Sequence, residues 1–299
     1  MPIGKRRAFE GLSALAVAVA AVLGVHGLAL AGETRVTCTG QGDAGRIQAA
    51  LASTPPGGRV LIEGTTPCRL ETPLAVEDGL HLVGAPFAEI RLSGSQEAGA
   101  PALYCTGGAV IENLRFVIDR PSGGAIRCAS KADREVRLRG VAVFASAPSS
   151  GPLIEIECAA SRPTCTSLRE VRITCKGRAV GGTTAIVVKS ADPPTGTRAN
   201  SGGDRKVRAN EIDVDDCRVG IAARGTELLI RDSALRVSGA SSRGIDASRR
   251  LVASNVLVRV LSGEGAVGIR AGEDSTLRDN RITVLALSLI RISEPTRPY

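Results

Sequence analysis

Apolar and polar positions alternate in short runs along most of the chain, and the runs return at a regular interval. Gly220-Ile-Ala-Ala, Gly244-Ile-Asp-Ala and Gly268-Ile-Arg-Ala each start 24 residues after the last. Between them lie Ala234-Leu-Arg-Val, Leu257-Val-Arg-Val and Arg281-Ile-Thr-Val, a second apolar pair at nearly the same spacing. Two short β-type segments per unit of twenty-odd residues predict a solenoid, because no unit can bury its own apolar face and each must stack on its neighbour.

Residues two apart on a strand face the same side. One inward column is therefore expected at Leu103, Ile126, Ile156, Ile186, Ile221, Ile245 and Ile269, joined two residues on by Cys105, Cys128, Cys158, Val188, Ala223, Ala247 and Ala271. The residues between them, from Tyr104 and Arg127 through Glu157, Val187, Ala222 and Asp246 to Arg270, are expected outside. A second inward column runs Phe116, Val143, Ile173, Ile212, Leu235, Val258 and Ile282. Three residues before each stands Asn113, Gly140, Glu170, Ala209, Asp232, Asn255 or Asp279. Asn and Asp at that position predict a sharp turn, since their side chains satisfy turn backbone groups. The Pro-, Gly-, Ser- and Thr-rich stretch Ala191–Lys206 is expected to protrude as a loop.

The two ends break the pattern. Lys5-Arg6-Arg7, an apolar run to about Leu30 and the exit Ala29-Leu30-Ala31 predict a secretory signal peptide over residues 1–31. Residues 287–299 resemble the translation of a sequencing-library adapter, differing at Arg291, and are expected to be non-native. The expected domain is then 32–286, incomplete at its C-terminus. The formal charge of +8 includes two units in the leader and one in the tail, which leaves the domain basic and points to anionic partners. No apolar stretch after Ala31 is long enough to span a bilayer.

The segment Asn210-Glu-Ile-Asp-Val-Asp-Asp-Cys-Arg-Val-Gly-Ile221, with its neighbours, resembles the repeat of the pectate-lyase-like superfamily. The likeness covers about residues 36–286 and implies an all-β fold, a right-handed single-stranded parallel β-helix. Near the start, Asp43 is expected to cap a short amphipathic helix that buries Ile47, Ala50 and Leu51. The resemblance implies that this helix lids the open end of the solenoid, shielding a strand edge.

Eight cysteines in an exported chain predict disulfides. Cys105 and Cys128 share an inward column on adjacent coils, about 4.8 Å apart and within bridging range. Cys38 with Cys68 would clamp the N-terminal region, Cys158 with Cys165 would close a short loop, and Cys175 with Cys217 remains. The alternative is a ladder of free buried thiols. No zinc spacing occurs, and no metal site is expected.

The chemistry is less legible. His81, the sole histidine after the leader, lies between inward Leu80 and Leu82 and is expected on a solvent-facing strand position, so Ser-His-Asp or Cys-His catalysis has no partner. Asp213 and Asp215 flank inward Val214, as Glu155 and Glu157 flank Ile156. Each pair is about 7 Å apart, the range of an inverting glycosidase, although any solvated β face shows the same alternation. Asp215-Asp216-Cys217 resembles an element of polygalacturonases, but that family's Asn-Thr-Asp, Gly-His-Gly and Arg-Ile-Lys elements are absent, as is the Arg-x-Pro-x-x-Arg of pectate lyases. Asp213, Arg236 and Arg259 are expected to follow one another along one outward column, with Arg281 on the next. Such a set would bind calcium and an anionic sugar under a lyase reading, and no cofactor otherwise. Tyr104, Arg127 and Arg281 are the candidates for carbohydrate contact. With no Trp and so little aromatic surface, neutral glycans are disfavoured and acidic ones favoured. Acids interspersed among the basic residues argue against nucleic acid. Two functions follow: an extracellular structural or surface-interaction module without a catalytic set, or a lyase or hydrolase acting on acidic glycans through Asp213, Asp215, Arg236 and Arg259.

Overall fold

The computed structural model describes residues 32–92, 99–131, 134–159, 164–176, 183–191, 206–261 and 264–285. The expected leader, the adapter-like tail and nearly all of the Ala191–Lys206 loop lie outside them. The described chain winds into a parallel β-solenoid of about eight turns. Among the described residues, one sheet has thirteen strands and the other eight, and neighbouring strands come from successive coils. All the strand pairings are parallel.

Long strands such as Thr164–Cys175, Lys206–Cys217 and Glu227–Val237 belong to the larger sheet, which is creased along its middle. At the crease each coil from Asn113 to Asp279 places one residue in the left-handed region: Asn113, Gly140, Glu170, Glu211, Asp232, Asn255 and Asp279, with φ between 49° and 61°. A left-handed residue turns the chain sharply, so the sheet divides into two flat faces. Side chains on this line support one another from coil to coil: Asn255 Nδ2 donates to Asp232 Oδ1 at 2.8 Å. Gly140 has no side chain because an added Cβ would run into the Asn113 amide oxygen.

The interior is predominantly apolar. Ile221 and Ile245 are inside, Leu228, Ile230, Leu235 and Val258 line the opposite walls, and Ile269 is partly buried in the last described coil. The glycine of each Gly-Ile-x-Ala unit is also explained. A Cβ on Gly220 would come within 2.5 Å of the Gly244 carbonyl oxygen, and one on Gly244 equally close to that of Gly268.

Two expected register positions are corrected by two residues each. Ile154, not Ile156, stands between Ile126 and Ile186; Ile156 pairs with Cys128 and Val188. Likewise Val214, not Ile212, follows Ile173 and precedes Leu235. The turn residue of that coil is therefore Glu211 rather than Ala209. A slip of two keeps every side chain on its own face, so alternation alone cannot detect it. Val187 and Ala222, although in an outward row, are buried. Ile282, expected inside, is 45% exposed on the last described coil.

Near the N-terminal end, the helix Asp43–Ser53 buries Ile47, Ala50 and Leu51 as expected. Its cap is Gly42 in the left-handed region, and not Asp43, which is the first helical residue. The Asp43 carboxylate instead accepts backbone N–H groups of Thr39, Gly40 and Arg69 at 2.9–3.0 Å, together with the Arg46 guanidinium. Gln48 accepts from the N–H of Ala75 at 2.9 Å and donates to its carbonyl at 3.2 Å. The helix thus provides partners to edge groups of strands Cys68–Leu70 and Leu74–Val76, groups that would otherwise lack them.

All eight cysteines pair: Cys38 with Cys68, Cys105 with Cys128, Cys158 with Cys165 and Cys175 with Cys217, at Cα separations of 4.4–5.4 Å. The alternative of a free-thiol ladder is thereby set aside. Four bridges mark a chain suited to an oxidising environment. No helix among the described residues is long and apolar enough to cross a membrane.

Candidate functional site

The face beyond the crease carries two outward rows at full register. One runs Arg172, Asp213, Ala234, Leu257, Arg281; the other runs Thr174, Asp215, Arg236, Arg259, Thr283. Each step is one coil, about 4.8 Å. Ala234 is the short member among longer neighbours, and the resulting hollow encloses about 520 Å³. Its floor is Ala234 and Leu257, and its walls are arginines and aspartates.

The four candidate catalytic positions, Asp213, Asp215, Arg236 and Arg259, do meet in this groove, but in a different order from that expected. Asp215, and not Asp213, lies opposite Arg236, while Asp213 lies opposite Ala234 and Arg172. The two-residue slip at Ile212 gives Asp215 the Arg236 partner expected for Asp213 and sets Asp213 opposite Arg172 and Ala234. Arg236 grips Asp215 with two nitrogens: Nε to Oδ1, and Nη2 to Oδ2 at 2.6 Å. That hydrogen bond, and then the negative charge of Asp215, raise the Arg236 guanidinium above its ordinary value. Arg172 Nε stands 3.4 Å from Asp213 Oδ2. Arg172 and Thr174 were not singled out from the sequence, and only the corrected register reveals them.

Asp215 and Asp216 do not project together. The ladder is irregular between Asp215 and Cys217, where Asp216 has a φ of 63° and accepts from Ser238 Oγ at 3.0 Å. The resemblance of Asp215-Asp216-Cys217 to a polygalacturonase element therefore ends in a bulge tied down by the Cys175–Cys217 bridge.

The other acid pair is on the eight-stranded sheet. Glu155 and Glu157 share Lys189, at 2.8 and 3.4 Å, and Glu155 also accepts from Arg127 Nε at 2.8 Å. Burial would raise the Glu155 carboxyl, but Lys189 and Arg127 outweigh it and hold the group below its usual range. The hydrogen bond from Lys189 to Glu155 likewise raises the lysine. The Arg127 guanidinium lies 5.9 Å from the centre of the Tyr104 ring. Tyr104 and Arg127 are thus neighbours on one sheet, while Arg281 belongs to the other. The three carbohydrate-contact candidates form no single surface. His81 is half-buried at the start of its strand, in register with Arg59 and Val110.

Calcium requires six to eight oxygen ligands. The groove offers two carboxylates, and both oxygens of Asp215 are already engaged by Arg236. Among the described residues no three His, Cys, Asp or Glu side chains converge on a metal-sized space. The two carboxylates of the groove do not make up that ligand set.

Comparison with family profiles, curated proteins and solved structures finds no match to this chain.

Proposed function

We propose that the protein is an exported β-solenoid acting as a surface-interaction module outside the cell, where it holds an acidic polysaccharide or an envelope surface without cleaving it. One observation carries this reading. Both aspartates of the groove are held by arginines, Asp215 through both oxygens by Arg236 and Asp213 by Arg172. A glycosidase needs one carboxyl that hands a proton to the leaving oxygen and another that activates water. A carboxylate with both oxygens inside a guanidinium fork does neither while the fork is closed. What this leaves is a charged wall, a form suited to binding. The four disulfides support export, and the helix Asp43–Ser53, by satisfying strand-edge groups, supports a stable end to the column.

The test is incubation of the oxidised, full-length chain with polygalacturonate, alginate and glycosaminoglycans, with and without calcium. Absorbance of unsaturated ends and a reducing-end assay report cleavage, and co-sedimentation reports binding. Binding without product is the expected result. Product that disappears in Asp215→Ala and Arg236→Ala would establish the lyase or hydrolase alternative instead.

A further inference from the structure

Among the described residues four large apolar side chains are exposed, and three of them, Leu277, Ile282 and Leu285, belong to the last described coil. Leu277 and Ile282 occupy core columns: the residues in register with them one coil earlier, Ala253 and Val258, are buried, as are Ile230 and Leu235 before those. Their exposure therefore reflects a missing neighbour and not a polar position. Ile269 and Val284 are half-buried beside them. Strands Val267–Arg270, Thr276–Arg278 and Arg281–Val284 pair only with the coil before them among the described strands, so the other edge of each is open.

The charges around this end balance. Arg270, Arg278 and Arg281 face Glu273, Asp274 and Asp279, all exposed, although Arg270 also stands 3.9 Å from Asp246 of the coil before. The preceding segment, Arg243 to Val260, has four arginines and one acid, so the balance belongs to the end and not to the solenoid at large. The opposite end is closed differently. There the helix Asp43–Ser53 buries Ile47, Ala50 and Leu51 against the core, and Asp43 and Gln48 bond the edge groups of Arg69 and Ala75.

We propose that two copies of the chain join end to end through the coil Val267–Leu285, as a closed two-fold dimer. A two-fold contact sets one patch against itself, so the patch must be self-complementary. This one is: an apolar centre of Leu277, Ile282 and Leu285 meets its own copy, and a rim with equal numbers of arginines and acids lets each charge meet its opposite. The open strand edges approach one another at the same time and gain backbone partners. Because the helix closes the other end, a head-to-tail stack has no matching surface, and the assembly stops at two. One cross-section of the column is a small interface, so the pair is reversible, with a dissociation constant on the order of micromolar. The proposal does not depend on the surface-interaction reading.

Sedimentation velocity of the oxidised full-length chain across a wide range of concentration tests it. A reversible equilibrium of monomer and dimer, with nothing larger, is expected. Leu277→Lys and Ile282→Lys, at exposed positions, should each raise the dissociation constant at least about tenfold, while Arg139→Glu on a distant coil should leave it unchanged. Circular dichroism confirms that each variant folds. Amide exchange needs no variant: exchange in Thr276–Arg278 and Arg281–Val284, fast in dilute protein, should slow as concentration rises, and exchange in Glu33–Thr37 should not change. A monomer at every concentration would overturn the proposal, whether the end stays bare or is taken up by residues 286–299. A dimer indifferent to both lysine variants would place the contact elsewhere and overturn it too. Assemblies larger than two, or slowed exchange in Glu33–Thr37, would show that the contact does not close.

Discussion

Asp215 and Arg236 face each other across one coil step, and the guanidinium of Arg236 engages both carboxylate oxygens of Asp215. The neighbouring Asp213, two residues earlier and on the same face, is answered by Arg172 on the coil before. A double-mutant cycle of Asp215→Ala and Arg236→Ala should give a coupling of about 0.5–1 kcal/mol that shrinks in high salt, since both side chains are partly solvated. Asp213→Ala with Arg236→Ala should give nearly none. Urea unfolding at two salt concentrations checks both, and coupling through Asp213 instead would show that the register is wrong.

The inward columns supply the stability. Ile245 is fully buried between Ile221 and Ile269, while Asp246 beside it points outward. Ile245→Ala should cost about 2–5 kcal/mol, because the rigid coils above and below cannot close the cavity. Asp246→Ala removes ion pairs with Arg243 and Arg270 on a solvated face and should cost less than about 1 kcal/mol. Denaturant midpoints of the two variants provide the comparison.

How far the sequence revealed this fold can be judged at two residues. The assignment of Ile245 to the core follows from alternation alone, because its repeat unit has one isoleucine between a glycine and an alanine. Ile154-Glu-Ile-Glu-Cys158 has three equivalent inward positions, and alternation cannot choose among them. The same ambiguity at Ile212 and Val214 gave Asp215 the partner expected of Asp213, so the candidate residues were found but their pairing was not. The crease held the missing information. Its left-handed residue stands three positions before the column residue in every coil from Asn113 to Asp279, but in two coils it is a glutamate, and Glu211, unlike Glu170, follows Ala209 in a strand where both Ile212 and Val214 fit the column. Glutamate has no turn signature comparable to that of Asn or Asp, so this position was not legible.

The crease makes a prediction that runs against the usual effect of glycine in a strand. Glu211 has a φ of 56° inside the long strand Lys206–Cys217, a conformation that costs an L-residue about 1–2 kcal/mol and glycine almost nothing. Glu211→Gly should therefore leave stability unchanged or raise it by up to about 1 kcal/mol, whereas Glu211→Val should lower it by at least that amount. Thermal melts of the two variants decide the point. A destabilising glycine together with a tolerated valine would show that the crease is not at this residue.

All four disulfides lie before Arg218, so the described coils from Arg218 to Leu285 hold together without a covalent link between them. Bridges such as Cys105–Cys128 restrict the opened chain as well as the folded one, and solenoid coils open from their ends. Amide exchange in the oxidised protein should be fastest in Thr276–Arg278 and Arg281–Val284, and slowest between Leu103 and Cys175. Reduction should narrow that difference by loosening the bridged half. Uniform protection along the column would contradict the assignment of the bridges as local clamps.

Asp43 links acidity to the N-terminal end of the column. Its side chain is fully buried. Burial by itself would raise its pKa, but the N–H groups of Thr39, Arg69 and Gly40 and the Arg46 guanidinium together hold it below the ordinary carboxylate range. A carboxylate whose folded pKa is depressed contributes stability that is fully present above its unfolded value, about 3.9, and is lost as pH falls through the lower folded value. The protein should therefore lose stability on acidification below about pH 4. Asp43→Asn should make that dependence shallower while lowering stability at neutral pH by about 1.5–3 kcal/mol, the scale of hydrogen bonds to a charged group. The contacts crossing this carboxylate join the loop before the helix to strand Cys68–Leu70. Exchange of the Arg69 amide should therefore rise with the same pH profile as global stability falls. An Asn variant whose acid profile matches the parent's would show that Asp43 is not the group being titrated.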